Sequence, residues 1–327
     1  MRIVISGATG FIGSNLARVF LDQGADVYAL VRPGSPHVDA LPVHRNLHKI
    51  ECDMAHVPDC VPLIGQADGF FHMAWGGVNR QEIDSPQVQA RNVAQSLECV
   101  RAAGLLGCRV FMDAGSRVEY GAVDGMMQED VDCHPINEYG KAKWEFYQKA
   151  APLCAELGLT YYHLRFFSVY GYGDHPWSII STLVRDLRQH KTVSLSACRH
   201  MWNFMYIRDA VQAVYELYRQ AADGGQAADG GPGAGTGGMP AVSGGPQSAI
   251  VNIASDDTRP LRSFVEEIHQ IVGYKGKLEY GTFVQAKEGA LSIRPDITRL
   301  KALTGGRWKE HYTFRRGIEE TIEKEEA

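Results

Sequence analysis

A tyrosine and a lysine four residues apart are the most chemically suggestive pair in this chain. Tyr139 and Lys143, in NEYGKAK, fall on one face of a helix predicted to begin near Asn137. A free phenol has a pKa of about 10, and bringing it near 7 requires roughly 4 kcal/mol of preference for the phenolate. A lysine ammonium in a partly dry site supplies part of such a field. The pair therefore predicts a tyrosine that acts as a general acid or base.

A hydroxyl at the end of an apolar run is the second feature. The stretch FMDAGS reads as a strand that ends in Ser116. We expect the strand end and the helix start to present Ser116, Tyr139 and Lys143 to one substrate oxygen. Ser116 would orient that oxygen by a hydrogen bond while Tyr139 gives or takes its proton.

The elements that must position these groups alternate along the first half of the chain. Short apolar strands such as RIVIS, DVYALV, GFFHMA and TYYHLRF are separated by helical patterns such as FIGSNLARVFLDQG and PQVQARNVAQSLECVRAAG. Strand followed by helix, repeated, predicts an α/β fold with a doubly wound parallel sheet.

The first predicted strand runs into a glycine-rich turn, GATGFIG. Gly7, Gly10 and Gly13 follow a strand and open a helix, which lets backbone N–H groups approach a pyrophosphate. A tight turn packed by glycines is the alternative reading, and the strand–helix alternation behind it favours the cofactor. Together with Tyr139 and Lys143, the turn predicts hydride transfer with a nicotinamide dinucleotide, whose positive ring would help to lower the pKa of the phenol.

Composition excludes several classes of protein. The 327-residue chain carries a net charge of -5 with a pI near 6.2, which gives no basic field for nucleic acid. No stretch reaches the roughly 18 apolar residues of a membrane helix, so we expect a cytoplasmic protein. The seven cysteines are scattered and never spaced CxxC, which predicts reduced thiols and no metal site.

The GxxGxxG turn and the YxxxK pair make the chain resemble the extended short-chain dehydrogenase/reductases, the family of nucleotide-sugar epimerases, dehydratases and ketoreductases. The resemblance covers nearly the whole chain and implies a Rossmann-type sheet, a smaller C-terminal substrate lobe, a nucleotide-sugar substrate and a homodimer built through the helices of Asn92 and Tyr139. The cofactor-binding residues that it implies are Gly7, Thr9, Gly10, Phe11, Ile12, Gly13, Asp53, Met54, Ala74, Tyr139, Lys143 and Phe166.

The resemblance also predicts how the chain is divided. Residues 1–167 would form the dinucleotide-binding domain, completed by segments near 204–220 and 249–255. Residues 168–203 and 256–327 would form the substrate lobe. Residues 222–247 contain ten glycines and few large side chains, which predicts a disordered surface insertion.

The end of the second strand bears on which cofactor is used. Sites that prefer NAD usually carry an acid there, which binds the ribose diol. Val31 holds that place, and Arg32 follows with Ser35 nearby. A cation and a hydroxyl suit a 2'-phosphate, so NADP(H) is favoured. If Arg32 is only a solvated loop charge, NAD(H) remains possible.

The residues after Ser116 bear on the reaction. In the sugar 4,6-dehydratases of the resembled family, Asp and Glu follow the catalytic hydroxyl and eliminate water. Arg117 and Val118 stand in those places here, which disfavours a dehydratase, although Glu119 keeps the question open.

Candidate substrate residues are less specific. Asn92 matches an asparagine that supports the catalytic network, and Ser168 stands where an asparagine is common. Trp202 stands where many members carry an arginine for the nucleotide diphosphate, and it would either stack on the substrate or simply pack. Other candidate diphosphate ligands, each equally explicable as surface charge, are Arg199, Lys287 and Arg294.

Three functions remain in competition. The first is an NADPH-dependent reductase of a nucleotide-linked 4-keto sugar. The second is a 4-epimerase, in which Tyr139 serves oxidation and then re-reduction with no net redox change. The third is a non-catalytic dinucleotide-binding protein. Such a protein would be expected to lack Tyr139 or Lys143, and this chain has both. A reductase of a small non-sugar ketone also stays open.

Overall fold

The computed structural model describes residues 1–79, 81–223, 247–283 and 292–326. The strands are β1 (Arg2–Ser6), β2 (Asp26–Val31), β3 (Leu47–Glu51), β4 (Gly69–His72), β5 (Val110–Ser116), β6 (Thr160–Phe166), β7 (Ser168–Tyr170), β8 (Thr192–Leu195), β9 (Met201–Tyr206), β10 (Ser248–Ile253), β11 (Thr258–Pro260) and β12 (Lys277–Tyr280). The α-helices are α1 (Phe11–Asp22), α2 (Val61–Ile64), α3 (Pro86–Leu105), α4 (Glu138–Glu156), α5 (Ile179–Arg188), α6 (Ile207–Ala222), α7 (Leu261–Ile271), α8 (Thr298–Leu303) and α9 (Phe314–Glu326).

Seven strands form the main sheet in the order β3-β2-β1-β4-β5-β6-β10, and every neighbouring pair is parallel. The chain moves outward from β1 to β3, then returns to place β4 on the other side of β1. In sheets of this kind, ligands bind outside the carboxyl ends of the strands at that reversal. The prediction of a Rossmann-type, doubly wound parallel α/β sheet is confirmed.

Helices cover both faces of the sheet because successive strand residues point to opposite sides. Phe71 of β4 packs with Phe20 and Tyr218 under α1 and α6. Its neighbour Phe70 packs with Phe111 under α3 and α4. The start of α4 is therefore held against the carboxyl end of β5.

A smaller group of elements lies beyond the carboxyl ends of β6 and β10. It holds a three-stranded sheet, β11-β9-β7, and a two-stranded sheet of β12 and β8. Phe204 of β9, Phe264 of α7 and Phe314 of α9 pack together, and their cluster is continuous with the core under α1 and α6. The predicted boundaries of the two lobes remain a prediction.

The predictions for the glycine-rich insertion and for Lys287 fall mostly or wholly on residues that the structure does not describe. The glycine-rich insertion at 222–247 lies outside the described residues except for its first two residues and its last one, and Lys287 also lies outside them. All seven cysteines are described and are free thiols. Among the described residues, no helix is long and apolar enough to cross a membrane, and no three His, Cys, Asp or Glu side chains gather as metal ligands would.

Candidate active site

Ser116 is the last residue of β5 and the first of a tight turn. Its hydroxyl accepts a hydrogen bond from the Val118 N–H at 3.4 Å, and the Glu119 carboxylate accepts one from the Ser116 N–H at 2.6 Å. This reciprocal arrangement is a capping box, which the pattern Ser-x-x-Glu encodes. The turn therefore fixes the serine at the strand end.

Helix α4 brings the other two predicted groups to the same point. Asn137 caps the helix by accepting a hydrogen bond from the Gly140 N–H at 2.8 Å. Tyr139 lies in the first turn, where the Ser116 hydroxyl is close enough to lower the pKa of its phenol. Lys143 lies one turn later, and its ammonium donates to the Ala114 carbonyl of β5 at 2.6 Å. The structure thus brings Ser116, Tyr139 and Lys143 together.

The Tyr139 phenol is protonated at neutral pH. Burial and the Glu119 carboxylate raise its pKa to about 12, against the lowering effects of the Ser116 hydroxyl and the Arg117 guanidinium. The sequence predicted that Lys143 would be the cation that lowers the pKa of the phenol. Its ammonium lies 5.8 Å from the centre of the ring and is turned toward a carbonyl of β5. In this structure, Arg117 is the cation that lowers the pKa of the phenol.

Lys143 lies under the ring of Trp75, a residue that the sequence analysis did not single out. Its ammonium is 3.5 Å from the centre of the indole, and the indole meets the Tyr139 ring edge to face at 6.2 Å. Burial lowers the pKa of Lys143 to about 8, although Asp113 and Glu119 raise it. The position of Trp75 just after β4, in HMAWGG, was the available signal.

Asn92 supports the loop that carries Trp75. Its amide donates to the Gly76 carbonyl at 2.9 Å and accepts from the Gly76 N–H at 3.1 Å. The Trp75 N–H donates to Gln89, which also bonds Asn92. The amide of Asn92 is therefore engaged by its own chain and positions the loop, and contact of Asn92 with substrate remains a prediction.

A buried charge network lies directly beneath the site. The Glu119 carboxylate is 2.9 Å from both His163 Nε2 and Arg165 Nε, and His163 Nδ1 is 2.9 Å from Asp113. Burial raises the pKa of Glu119, but His163, Arg165 and the Ser116 N–H lower it to about 2. Burial lowers the pKa of His163, but Asp113 and Glu119 raise it to about 9. Because its oxygens are taken by these partners, Glu119 has none to offer to water elimination.

The glycine turn has the shape of a phosphate cradle. A Cβ on Gly7, whose φ is +67°, would lie 2.5 Å from the Ala74 nitrogen, and one on Gly13 would lie 2.2 Å from the Gly7 carbonyl oxygen. Helix α1 begins after Gly10 with no side-chain cap and no acid in its first turn. Its positive end is thus left for an anion such as a pyrophosphate. Three further predicted cofactor residues belong to the same turn: Thr9, Phe11 and Ile12.

The carboxyl end of β2 lies against this turn. Arg32 is exposed and follows the buried Val31, and the Ser35 N–H closes a turn on the Arg32 carbonyl. The Ser35 hydroxyl is 3.4 Å from the Thr9 hydroxyl. The structure therefore places the predicted 2'-phosphate residues beside the phosphate cradle.

Asp53, which was predicted to bind the cofactor, and His72, the last residue of β4, have partners within the chain. Asp53 caps the 3₁₀ turn Met54–Cys60 by accepting from the Ala55 N–H at 3.0 Å. His72 is buried between the Ser6 and Ser96 hydroxyls, and burial with the nearby Lys143 lowers its pKa to about 3, so it is neutral.

Of the predicted substrate residues, Trp202 faces the catalytic strand end. Its ring centre lies 5.1 Å from the guanidinium carbon of Arg117. Ser168 is half-buried in β7 beside the neighbouring strand β9, and Phe166 ends β6 opposite Ser116. Arg199 and Arg294 are exposed, and among the described residues neither side chain has a hydrogen-bond partner in the site.

A cavity of about 680 Å³ begins beside Trp202. Its walls are mainly apolar and aromatic, and they include Trp177, Leu183, Val193, His200 and Leu261. A cavity of this size and character suits a planar organic group.

The fold and the site define a dinucleotide-binding enzyme of the short-chain dehydrogenase/reductase type. Residues 3–229 match the model of the NAD dependent epimerase/dehydratase family. The chain belongs to that family and is an enzyme.

Curated relatives within the family carry out different reactions. The chain is 24% identical over 300 residues to the dTDP-6-deoxy-L-talose 4-dehydrogenase (NAD(+)) of Aggregatibacter actinomycetemcomitans, covering 90% of this chain and 98% of the relative. It is 28% identical over 177 residues to the UDP-glucose 4-epimerase of Corynebacterium glutamicum, a match that spans 53% of each chain.

Solved structures show the same fold over the whole length. The UDP-glucuronic acid 4-epimerase of Bacillus cereus, solved with UDP-glucuronic acid and NAD, has a TM-score of 0.79 at 17% identity. The match covers 99% of this chain and 98% of that chain. The UDP-glucose 4-epimerase of Thermotoga maritima, solved with UDP-glucose, has a TM-score of 0.78 at 20% identity with the same coverage.

Proposed function

We propose that this enzyme reduces a keto group of a nucleotide-linked sugar with NADPH, with Tyr139 as the general acid. The observation that carries the proposal is a protonated phenol beside Ser116, at the end of β5 in a Rossmann-type sheet. A phenol that starts out protonated is ready to give its proton to a carbonyl oxygen that becomes a hydroxyl.

Each residue has a definite task in this reaction. The nicotinamide, when bound, supplies the hydride to the carbonyl carbon. The Ser116 and Tyr139 hydroxyls hold the carbonyl oxygen, and Tyr139 gives it a proton, so that the C=O becomes CH–OH and the phenol becomes a phenolate. Arg117 stabilises that phenolate until solvent reprotonates it.

The cradle formed by Gly7, Gly10 and Gly13 would hold the pyrophosphate, and Arg32 with Ser35 would hold a 2'-phosphate. The names of the relatives and neighbours mention NAD, whereas the absence of an acid at Val31 argues for NADP in this chain. The nucleotide base would occupy the cavity beside Trp202.

The test is the loss of absorbance at 340 nm with NADPH and a panel of CDP-, dTDP-, GDP- and UDP-linked 4-keto-6-deoxyhexoses. We expect consumption with at least one of them. Tyr139→Phe should lower kcat/KM by about 10²- to 10⁴-fold. Tyr147→Phe, two turns further along α4, is the matched control and should retain activity. No consumption by the wild type with any substrate would refute the proposal.

A 4-epimerase is the second candidate, because a relative and two solved neighbours carry that name. It would interconvert nucleotide hexoses without net loss of NADPH, which product analysis after the absorbance assay detects. A homodimer through α3 and α4 remains a prediction, and sedimentation would test it against the 36.1 kDa of one chain.

A further inference from the structure

Arg117 has an unusual environment for a half-buried arginine. It follows Ser116 directly, its guanidinium lies over the Trp202 ring at 5.1 Å, and its charge acts on the Tyr139 phenol. Within residues 1–79, 81–223, 247–283 and 292–326, no carboxylate pairs with it and no oxygen accepts its hydrogen bonds. Its donors are therefore free at the catalytic end of the cleft.

The nearest buried carboxylate is already neutralised. Glu119 bonds the Arg165 guanidinium, His163 and the Ser116 N–H, all within 2.9 Å. Arg165 thus has the partner that Arg117 lacks. No described carboxylate pairs with Arg117, so an anionic partner for it would come from outside the described chain.

Trp202 holds the guanidinium of Arg117 in a position that suits the binding of an anion. Stacking on an aromatic face holds the guanidinium plane and leaves its N–H groups, which lie in that plane, available for a fork-shaped contact. Phosphate and carboxylate oxygens match that fork, whereas a neutral hydroxyl uses only part of it.

We propose that Arg117, held by Trp202, binds an anionic group of the substrate. This inference rests on the proposed function and deepens it, since it requires a nucleotide-linked sugar whose anionic oxygens lie near the reacting carbonyl. Two parts of such a molecule carry that chemistry: the diphosphate, and a carboxylate on the sugar of a uronic acid.

The test measures binding rather than turnover. The protein carries Tyr139→Phe and is loaded with NADP⁺, and calorimetry measures the Kd of UDP, UDP-glucose and UDP-glucuronic acid. If the UDP ligands do not bind, the corresponding dTDP, CDP and GDP ligands are used. A lost charge-assisted contact weakens binding by about 10- to 100-fold. Arg117→Gln should show that loss, Arg117→Lys a smaller one, and Trp202→Leu a loss of several-fold.

Arg219→Gln is the matched control, an exposed arginine over the Tyr215 ring on α6. Weaker binding of every nucleotide ligand by Arg117→Gln identifies the diphosphate, and weaker binding of UDP-glucuronic acid alone identifies the carboxylate. Unchanged Kd values in Arg117→Gln and Trp202→Leu would overturn the inference even if the wild type reduces a nucleotide sugar. If the protein with Arg117 and Trp202 intact binds none of these ligands, the inference and the proposed function are overturned together.

Discussion

Replacing Glu119 by glutamine should destabilise the protein strongly without changing its shape. The carboxylate lies fully buried at 2.9 Å from both His163 Nε2 and Arg165 Nε. Glutamine keeps the volume but removes the charge, and it leaves two buried cations with Asp113 as their remaining carboxylate. Removal of one partner from a buried ion pair leaves a charge uncompensated in a medium that solvates it poorly.

The expected loss can be worked out in two ways. The pKa of Glu119 falls from 4.5 to about 2, which corresponds to about 3 kcal/mol of preference for the charged form. Removing one partner of a buried pair costs about 3–5 kcal/mol in general. The rise in the pKa of His163 describes the same contact from its other side and is not added. We therefore expect Glu119→Gln to lower the free energy of unfolding by about 3 kcal/mol.

Urea unfolding at pH 7, followed by tryptophan fluorescence, measures this loss. Glu129→Gln is the matched control: Glu129 is also buried and accepts a hydrogen bond from the Asn252 N–H at 3.0 Å, but burial raises its pKa. Its neutral replacement should cost less than about 1 kcal/mol. Equal losses in the two variants, or a loss below about 1 kcal/mol for Glu119→Gln, would refute the reasoning.

The pH dependence provides an independent check with a defined sign. The folded pKa of Glu119 lies below its ordinary 4.5, so its stabilisation is present above that pH and is lost as the pH falls toward 2. The folded pKa of His163 lies above its ordinary 6.5, so its stabilisation is present below that pH and is lost as the pH rises through 9. The difference in Tm between wild type and Glu119→Gln should be largest from pH 4.5 to 6.5 and smaller outside that window.

Three further predictions follow from the cofactor cradle, the lysine and the β2 end. Gly7→Ala should abolish dinucleotide binding in a fluorescence titration because its Cβ would meet the backbone at 2.5 Å, whereas Gly24→Ala, with a similar φ and open space, should bind normally. The pKa of Lys143, lowered to about 8, predicts that kcat/KM declines as the pH rises above 8, and Lys143→Met should abolish that limb of the profile. Arg32→Ala should weaken binding of NADP⁺ by about 10- to 100-fold and leave that of NAD⁺ unchanged, and Arg45→Ala, another exposed loop arginine, should alter neither.

The sheet was predictable because its signals are local and repeat along the chain. Inner strands such as β1 and β4 are short apolar runs buried on both faces, so they stand out from the amphipathic helices between which they lie. The approach of the glycine turn to Ala74 follows from the same rules, since β1 and β4 are neighbours and their carboxyl ends meet at one edge. The pairing of β9 with β7 and with β11 was harder to predict, since the three-residue strands β7 and β11 carry little pattern.

At the site, local spacing identified Ser116, Tyr139 and Lys143, but it could not assign the charges around them. Which cation acts on the phenol depends on side-chain direction: Lys143 turns toward the Ala114 carbonyl, and the charge of Arg117 lowers the pKa of the phenol. The contact of Trp75 with Lys143 joins residues 68 positions apart on different elements. Sequence spacing on one helix carries no information about such a contact.

The two positions that depart from the pattern of the resembled family belong together in the structure. Arg117 stands where the dehydratases carry an acid, and Trp202 stands where many members carry an arginine. Considered separately, Arg117 means that the chain lacks the catalytic acid of the dehydratases, and Trp202 means that it lacks an arginine for the diphosphate at that place. In the fold they are in contact, with the guanidinium carbon 5.1 Å from the ring centre. A cation therefore lies at the end of β5, against the tryptophan of β9. A guanidinium there repels the protonation of a leaving hydroxyl and favours a phenolate, which suits hydride transfer at a carbonyl better than elimination of water.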